Sequence, residues 1–310
     1  MRNIFNKIAG CAGYHTGPLD ETEQLLTDWG VKFRKKWDGT VVVKGDLRVT
    51  GKKMTALPDF LNVIVEGSFC CIGVGLTSLK GSPKRVEGSY HCSDNPLTTL
   101  EGATQWVGDA FFCMKSGLES LEGGPRHVGG QFICSENRLK TLHGAPAVVG
   151  KGFNCEDNEL VSLEGAPEKT GGLFWCSRNK LTSLKGAPRE VVEGFWCENN
   201  QLTSLEGGPE NVIRAINCTT YNCAKNKLTS LVGVAKGCES IYAEGNPLET
   251  VEGAPETNAR IRCEAGDFYG WETVPRDLRY FPGTRERKES ERATVLQAPI
   301  RISRPLRLTR

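Results

Sequence analysis

One hydrophobic pattern recurs along most of this 310-residue chain. Eight cysteines are spaced 21 residues apart, and each of the first seven is followed five positions later by a leucine. The cysteines are Cys71, Cys92, Cys113, Cys134, Cys155, Cys176, Cys197 and Cys218. In each of those seven units a second leucine comes three residues after the first. A fixed period of about 20 residues is typical of a repeat array in which stacked units bury one continuous core.

The segment around each cysteine has the alternation of a short strand. In one unit, Phe153 and Cys155 are expected to point to one side and Asn154 to the other. Asn158, three residues after the cysteine, is predicted at the turn, where its amide can bond backbone groups of its own coil and of the next coil. The pattern predicts a leucine-rich-repeat solenoid with cysteine in place of one core leucine and a parallel β-sheet of about eleven short strands.

The path from each turn back to the next strand is rich in glycine and proline. The phrase Gly-Ala-Pro recurs at 144–146, 165–167 and 186–188. Proline lacks the backbone N–H that a helix interior needs, and glycine adds a further conformational cost. The return loops are therefore predicted to be non-helical.

Two units depart from the template. In one, five residues are inserted, because Cys218 keeps the 21-residue period while Cys223 restores the offset to the following leucine. An insertion in a solenoid is accommodated as a bulge or loop, so a protrusion is expected at 215–221. The last unit is weaker, with Cys263 in the cysteine column and Phe268 in the place of the first leucine.

The solenoid is expected to span residues 41–282 and to be capped by a helix in the head, residues 1–40. Asp20 and Glu23 have the spacing of a capping box, and Gly30 can end the helix. The residues expected to cover the first coil are Leu25, Leu26 and Trp29. This covering role follows because a terminal coil has no neighbour on one side.

Basic charge is concentrated in a C-terminal arm, residues 283–310. The formal net charge of the chain is +2, but from Thr284 to Arg310 eight lysines or arginines face three glutamates. Pro305 prevents a regular helix, so an extended arm is predicted, either disordered or ordered on another subunit of an assembly or homo-oligomer. Its expected contact residues are Arg301, Arg304, Arg307 and Arg310. Spaced arginines without a folded basic face fit nucleic acid poorly.

The 13 cysteines are interpreted mainly as core residues. In-register parallel strands present their side chains side by side, a poor geometry for a disulfide, so the column is expected to consist of buried thiols. No pair has the C-x-x-C spacing of a zinc or redox site, so neither a metal nor another cofactor is expected. Cys11 and Cys70 lie off the column and are the candidates for an intermolecular disulfide.

The chain is predicted not to be an enzyme. Its histidines, cysteines and carboxylates do not converge by spacing on a catalytic set. No stretch approaches the 18 apolar residues that cross a bilayer, so no membrane association is expected.

The outward residues in the middle of the strands form the candidate protein-binding face. Five of them are large and apolar or aromatic: Phe112, Ile133, Trp175, Trp196 and Tyr242. The first two fall on adjacent units, as do the two tryptophans, so the patch is expected to be contiguous. Aromatic residues on a rigid surface are typical of interaction hot spots. The alternative is that a flanking segment, such as the C-terminal arm, folds back over them.

The phrases at 181–188 (LTSLKGAP) and 195–200 (FWCENN) resemble the short cysteine-bearing leucine-rich repeats encoded by tailed bacteriophages and some bacteria. The resemblance covers about three quarters of the chain. It implies a binding protein, expected to be a virion component that decorates or links other virion subunits and is attached through its arm. The alternative is a soluble phage or bacterial effector in the host cytoplasm, which binds and inhibits a host protein through the aromatic face.

Overall fold

The computed structural model describes residues 19–50, 54–215, 219–255, 259–269 and 273–275. It contains one helix, α1 (Glu21–Asp28), followed by short strands. The strands are β1 (Phe33–Lys35), β2 (Val41–Val43), β3 (Leu47–Arg48), β4 (Val63–Val65), β5 (Phe69–Cys70), β6 (Arg85–Val86), β7 (Tyr90–His91), β8 (Trp106–Val107), β9 (Phe111–Phe112), β10 (His127–Val128), β11 (Phe132–Ile133), β12 (Val148–Val149), β13 (Phe153–Asn154), β14 (Lys169–Thr170), β15 (Phe174–Trp175), β16 (Glu190–Val192), β17 (Gly194–Trp196), β18 (Asn211–Ile213), β19 (Thr220–Asn222), β20 (Ser240–Tyr242), β21 (Arg260–Cys263) and β22 (Gly266–Tyr269). The predicted C-terminal arm and Cys11 lie outside the described residues.

The strands form two sheets that run side by side along a solenoid. The front sheet has the order β3-β5-β7-β9-β11-β13-β15-β17-β19-β20-β21-β22, and all of its neighbours are parallel except β21 and β22. The back sheet has the order β1-β2-β4-β6-β8-β10-β12-β14-β16-β18 and is parallel after its first pair. The predicted leucine-rich-repeat solenoid with about eleven parallel front strands is therefore confirmed.

The back sheet is a feature that the sequence pattern did not predict. The return loops are non-helical, as expected, but each of eight return segments from Val63 to Ile213 contributes a strand of two or three residues. Each of these strands points a small β-branched side chain into the core at one shared position: Val65, Val86, Val107, Val128, Val149, Thr170, Val191 and Val212. Strand β4 buries Val63 as well. In the strands after β4, a single inward residue between glycine-rich turns is too short to give a recognisable alternation.

The core between the sheets is built from columns of identical side chains. Phe111, Phe132, Phe153, Phe174 and Phe195 are fully buried, and their ring centroids lie 5.3 to 5.5 Å apart. The cysteine column and both leucine columns pack beside them in the same cluster. Each coil thus buries its apolar side chains against copies of themselves, and stacking is what makes the core continuous.

Asparagine side chains tie neighbouring coils together at the end of each front strand. The Asn158 amide donates to the carbonyl oxygens of Cys155 and Cys134, each at 3.1 Å, and its Oδ1 accepts from the Leu139 N–H at 3.0 Å. The expected contact with the next coil was wrong, because Asn158 bonds to the preceding coil. The residue before it, Asp157, has a positive φ of 53°, which turns the chain sharply enough for this contact.

Both ends of the described solenoid are capped. Asp20 and Glu23 form the predicted capping box at the start of α1, and Leu26 is fully buried. Trp29 lies edge-on against Phe60 at 6.1 Å, which continues the aromatic column into the head. At the other end β22 folds back antiparallel on β21, so Phe268 is part of a hairpin and does not take the leucine position expected of it.

The protrusion predicted at 215–221 does not include the last of these residues. Cys223 takes the buried position in the cysteine column, and Tyr221 is fully buried in the aromatic column, 5.3 Å from Phe195. Tyr221 is therefore a core residue and not part of a protrusion. The described residues that flank the insertion are Ala215, which is exposed, and Thr219, which is buried.

Candidate functional site

The outward residues of the front strands form one continuous column, here called the front column. Backbone register pairs each member with the next, and the column runs Arg48, Cys70, His91, Phe112, Ile133, Asn154, Trp175, Trp196, Asn222, Tyr242 and Arg262. The two pairs predicted to be adjacent, Phe112 with Ile133 and Trp175 with Trp196, are on neighbouring strands. All five predicted binding residues lie on this one surface.

These five side chains are half-buried rather than fully exposed. The His91 ring stacks on Phe112 with centroids 4.6 Å apart and an interplanar angle of 7°. The surface is therefore a flat, packed layer rather than a row of projecting rings. Burial lowers the pKa of His91, and the nearby Arg48 lowers it further, so the neutral imidazole is favoured in this stack.

Glycines allow the two indoles to lie down on the sheet. A Cβ at Gly152 would stand 2.7 Å from Cζ3 of Trp175, and one at Gly194 would stand 3.3 Å from Nε1 of Trp196 and 3.0 Å from Leu173. The Nε1 atom of Trp196 is buried and has no hydrogen-bond partner among the described residues. These glycines belong to the site, and the signal that could have found them is a glycine two positions before an outward residue.

Acidic residues border the front column. From the His91 strand to the Tyr242 strand, nine carboxylates and four lysines or arginines lie within three residues of the column, a net charge of −5. The carboxylates belong to Asp94, Asp109, Glu136, Glu156, Asp157, Glu193, Glu198, Glu239 and Glu244. We call the column and these neighbouring positions the front face. It is an aromatic surface set in negative potential, which favours cationic partners.

Some of the acidic groups on the front face are already paired. Glu156 lies 3.5 Å from the guanidinium of Arg178, which also bonds Asp157 at 2.8 Å. The hydrogen bond that Arg178 donates to the Asp157 carboxylate raises the pKa of the guanidinium above its ordinary value. Glu198 accepts a hydrogen bond from the side-chain amide of Asn222. The carboxylates are thus held in fixed positions beside the aromatic column.

Two further exposed apolar sites were missed by the strand pattern. Trp37 lies in the turn between β1 and β2 and is 94% exposed, and Leu61 is 63% exposed. Asn62 bonds the carbonyl of Gly39 at 2.6 Å, which joins the segments that carry these two side chains. Trp37 precedes the repeat and Leu61 lies in the first return segment, so neither is an outward strand position that the 21-residue period identifies.

The back sheet carries a smaller aromatic stack. The guanidinium carbon of Arg85 lies 3.4 Å from the centroid of the Trp106 ring, and Trp106 stacks on His127 at 5.0 Å. Glu87 holds Arg85 with a 2.6 Å ion pair. Further along this side a groove of about 490 Å³ lies between return loops, where Arg189 pairs with Glu210 at 2.8 Å. The two arginines are thus each paired with a glutamate of the same surface.

The column cysteines are buried thiols, and Cys70 is the half-buried outward one. The Cys155 thiol donates to the carbonyl of Trp175 at 3.3 Å, on the next coil. Burial raises the pKa of Cys155 well above its ordinary value, and the same cause acts on the other column thiols. A protonated, buried thiol is a poor nucleophile, so this column serves packing.

The described residues contain no group of three or more His, Cys, Asp or Glu side chains arranged to hold a metal ion. Within the same part of the chain, no helix has the length and apolar character to cross a membrane.

No family model matches the sequence, and no curated protein matches it. Among solved structures, the chain is similar to YopM from Yersinia enterocolitica WA-314, with a TM-score of 0.40 and 18% sequence identity. The alignment covers 70% of this chain, and the chain spans 58% of the length of YopM. The case for a function therefore rests on the front face itself.

Proposed function

We propose that the protein is a non-enzymatic leucine-rich-repeat scaffold that binds another protein through its front face. The observation that carries the proposal is the in-register pair Trp175 and Trp196, whose indoles lie flat over a glycine-lined floor on the sheet. Aromatic side chains on a rigid backbone lose little entropy on binding and dominate interface energies. The flatness of the layer suits a protein surface better than a small molecule, which needs a concave pocket.

The test is a comparison of two matched variants of the full chain. Changing Trp175 and Trp196 together to alanine should weaken partner binding by about 2 to 4 kcal/mol, because both hot-spot rings are lost. The control is Trp106→Ala, which removes an indole of the back sheet. Proteins that co-purify with the wild type and the control but are lost from the double variant identify the partner, and calorimetry then measures the affinities.

A different outcome would overturn the proposal. If the double variant keeps its partner and instead melts at a much lower temperature than the control, the indoles are packing residues. Partner binding would then have to be sought elsewhere, for example at Trp37.

We further propose that the protein is a virion component that decorates or links other subunits. The support for this role is the sequence of residues 283–310, whose spaced arginines suit attachment to a lattice, together with a front face left for a second protein. Quantitative mass spectrometry of purified particles tests this role. A stoichiometric copy number supports it, whereas presence only in the lysate of infected cells favours the effector alternative, in which the same face binds and inhibits a host protein.

A further inference from the structure

On the front face, one arginine of the chain itself is bound beside an aromatic ring and a glutamate. The guanidinium carbon of Arg262 lies 5.4 Å from the ring centroid of Tyr242, and its Nε is 3.6 Å from the Glu244 carboxylate. Tyr242 is in the front column, and Glu244 follows two residues later on the same side of the sheet. Asp267 also pairs with this guanidinium at 3.4 Å, so Arg262 is held by an aromatic ring through a cation–π contact and by two carboxylates through ion pairs.

The same pair of residues recurs two coils earlier, on a strand whose next neighbour has no arginine at the position of Arg262. Trp196 is in the front column and Glu198 follows two residues later, but the neighbouring strand presents Asn222 where the Tyr242 strand faces Arg262. The amide of Asn222 bonds Glu198 and carries no charge. The Trp196–Glu198 pair therefore offers the aromatic and acidic halves of an arginine site to a guanidinium from outside the solenoid.

Residues nearby extend this site into a track. Glu156 lies two strands from Glu198 on the same row, a separation of about 10 Å, and Trp175 is on the strand between them. An extended peptide places alternate side chains about 7 Å apart on one side. A segment in which arginines alternate with aliphatic residues can therefore lay apolar side chains on the indoles and direct a guanidinium group to Glu198, with a second one near Glu156, where Arg178 is already bound.

The chain itself carries a segment of this chemistry. Residues 300–310 read IRISRPLRLTR, and residues 284–310 have a net charge of +5, opposite in sign to the −5 counted along the front face from the His91 strand to the Tyr242 strand. The described chain ends at Pro275, on the last coils, and three strand spacings of about 5 Å separate β21 from β17. The 25 residues between Pro275 and Arg301 can span roughly 80 Å, so reach does not limit contact.

We propose that residues 300–310 bind in cis to the front face of the same chain, with an arginine held by Trp196 and Glu198. The proposal rests on the proposed function, because it makes this segment a cover of the partner-binding surface. A tether of this kind supplies an effective concentration on the order of 1 mM. A partner must then displace the segment, and an assembly that takes up the arm would expose the front face.

The experiment uses the full chain and a fluorescent synthetic peptide with the sequence of residues 296–310. One variant carries Arg301→Ser, Arg304→Ser, Arg307→Ser and Arg310→Ser, which keeps the length of the tether. The peptide should bind this variant about 100-fold more tightly than it binds the wild type, because the wild-type segment competes at high effective concentration. Fluorescence anisotropy at low ionic strength measures both affinities.

Variants of the front face locate the site. In the serine background, Glu198→Gln and Trp196→Ala should each weaken peptide binding about tenfold or more, while Trp106→Ala should leave it unchanged. Glu198→Gln keeps the side-chain shape, so its effect separates charge recognition from a loss of folding. Circular dichroism melting of each variant confirms that the solenoid is intact.

Three results would overturn the proposal. The first is an equal peptide affinity for the wild type and the serine variant. The second is peptide binding that survives both Glu198→Gln and Trp196→Ala. The third is a salt-sensitive dimer of the wild type in sedimentation, which would place the segment on a second copy. The proposed function fails separately. If the serine variant does not bind the peptide but still loses its partner when both tryptophans are changed, only the inference about the segment is wrong.

Discussion

At the scale of the residue, two tyrosines in the aromatic column show how one hydroxyl is accommodated and another is not. The Tyr90 hydroxyl lies 2.8 Å from Oγ of Ser82, which in turn donates to the Leu79 carbonyl. The Tyr221 hydroxyl is buried without a partner among the described residues. It occupies space left by Gly208, where a Cβ would come within 3.1 Å of it.

Phenylalanine substitutions at these two positions should have opposite effects on stability. Tyr90→Phe should lower the free energy of unfolding by about 1 kcal/mol because a satisfied hydrogen bond is lost. Tyr221→Phe should raise it by a similar amount, because an unsatisfied buried hydroxyl is removed. Urea unfolding of the two variants against the wild type gives the comparison, and equal losses in both would contradict this account of Tyr221.

At the scale of the element, the N-terminal helix stabilises the first coil by covering it. Leu26 is fully buried in the core cluster, whereas Leu25 is only partly buried against it. The capping box fixes where α1 begins, and the edge contact of Trp29 with Phe60 fixes how it lies on the coil. A solenoid end without such a cover would expose the aromatic and leucine columns to water.

Truncating the helix side chains should show this directly. Leu26→Ala should destabilise the protein by about 2 to 5 kcal/mol, because it removes buried methyl groups and leaves a cavity. Leu25→Ala is the matched control and should cost clearly less. Thermal melting of both variants is the measurement, and similar midpoints for the two would mean that α1 does not cover the core through Leu26.

At the scale of the whole molecule, the cysteine column makes stability depend on pH. Burial raises the pKa of Cys238 to about 12 and raises the pKa values of the column thiols beyond that of an exposed thiol. In the unfolded chain these thiols ionise near pH 8.5, while in the folded chain they stay protonated. Above that pH the unfolded state binds fewer protons than the folded state. The contribution of the buried thiols to the free energy of unfolding is therefore fully present below about pH 8.5 and is lost as pH rises.

The melting temperature should therefore fall steeply between about pH 8.5 and pH 10.5 in the presence of a reductant. Each buried thiol contributes about 1.4 kcal/mol per pH unit in this range, and several act together. Replacing Cys155 by alanine should make the fall of the free energy of unfolding with pH shallower by the amount that one thiol contributes. A melting temperature that stays constant to about pH 10.5 would contradict this account, because it would mean that folding does not change the ionisation of the column thiols.

Much of the fold followed from the sequence because every coil meets the same neighbours. The 21-residue period places Phe153, Cys155, Leu160 and Leu163 beside their copies, so the front strands and core columns could be predicted from one unit. The capping box at Asp20 is a local signal within one turn of helix and was equally readable. The outward column followed from strand alternation alone, which is why its large residues were found.

Only the tertiary structure decided how the coils fit against one another. The back strands, the antiparallel end at β22 and the left-handed residues such as Asp157 depend on hydrogen bonds between segments about 20 residues apart. The tilt of Trp175 onto Gly152 and the pairing of Glu198 with Asn222 likewise join different coils, the second across the insertion. Pattern within one unit specifies which side a residue faces, but the direction of its side chain along that side is set by the neighbouring coil.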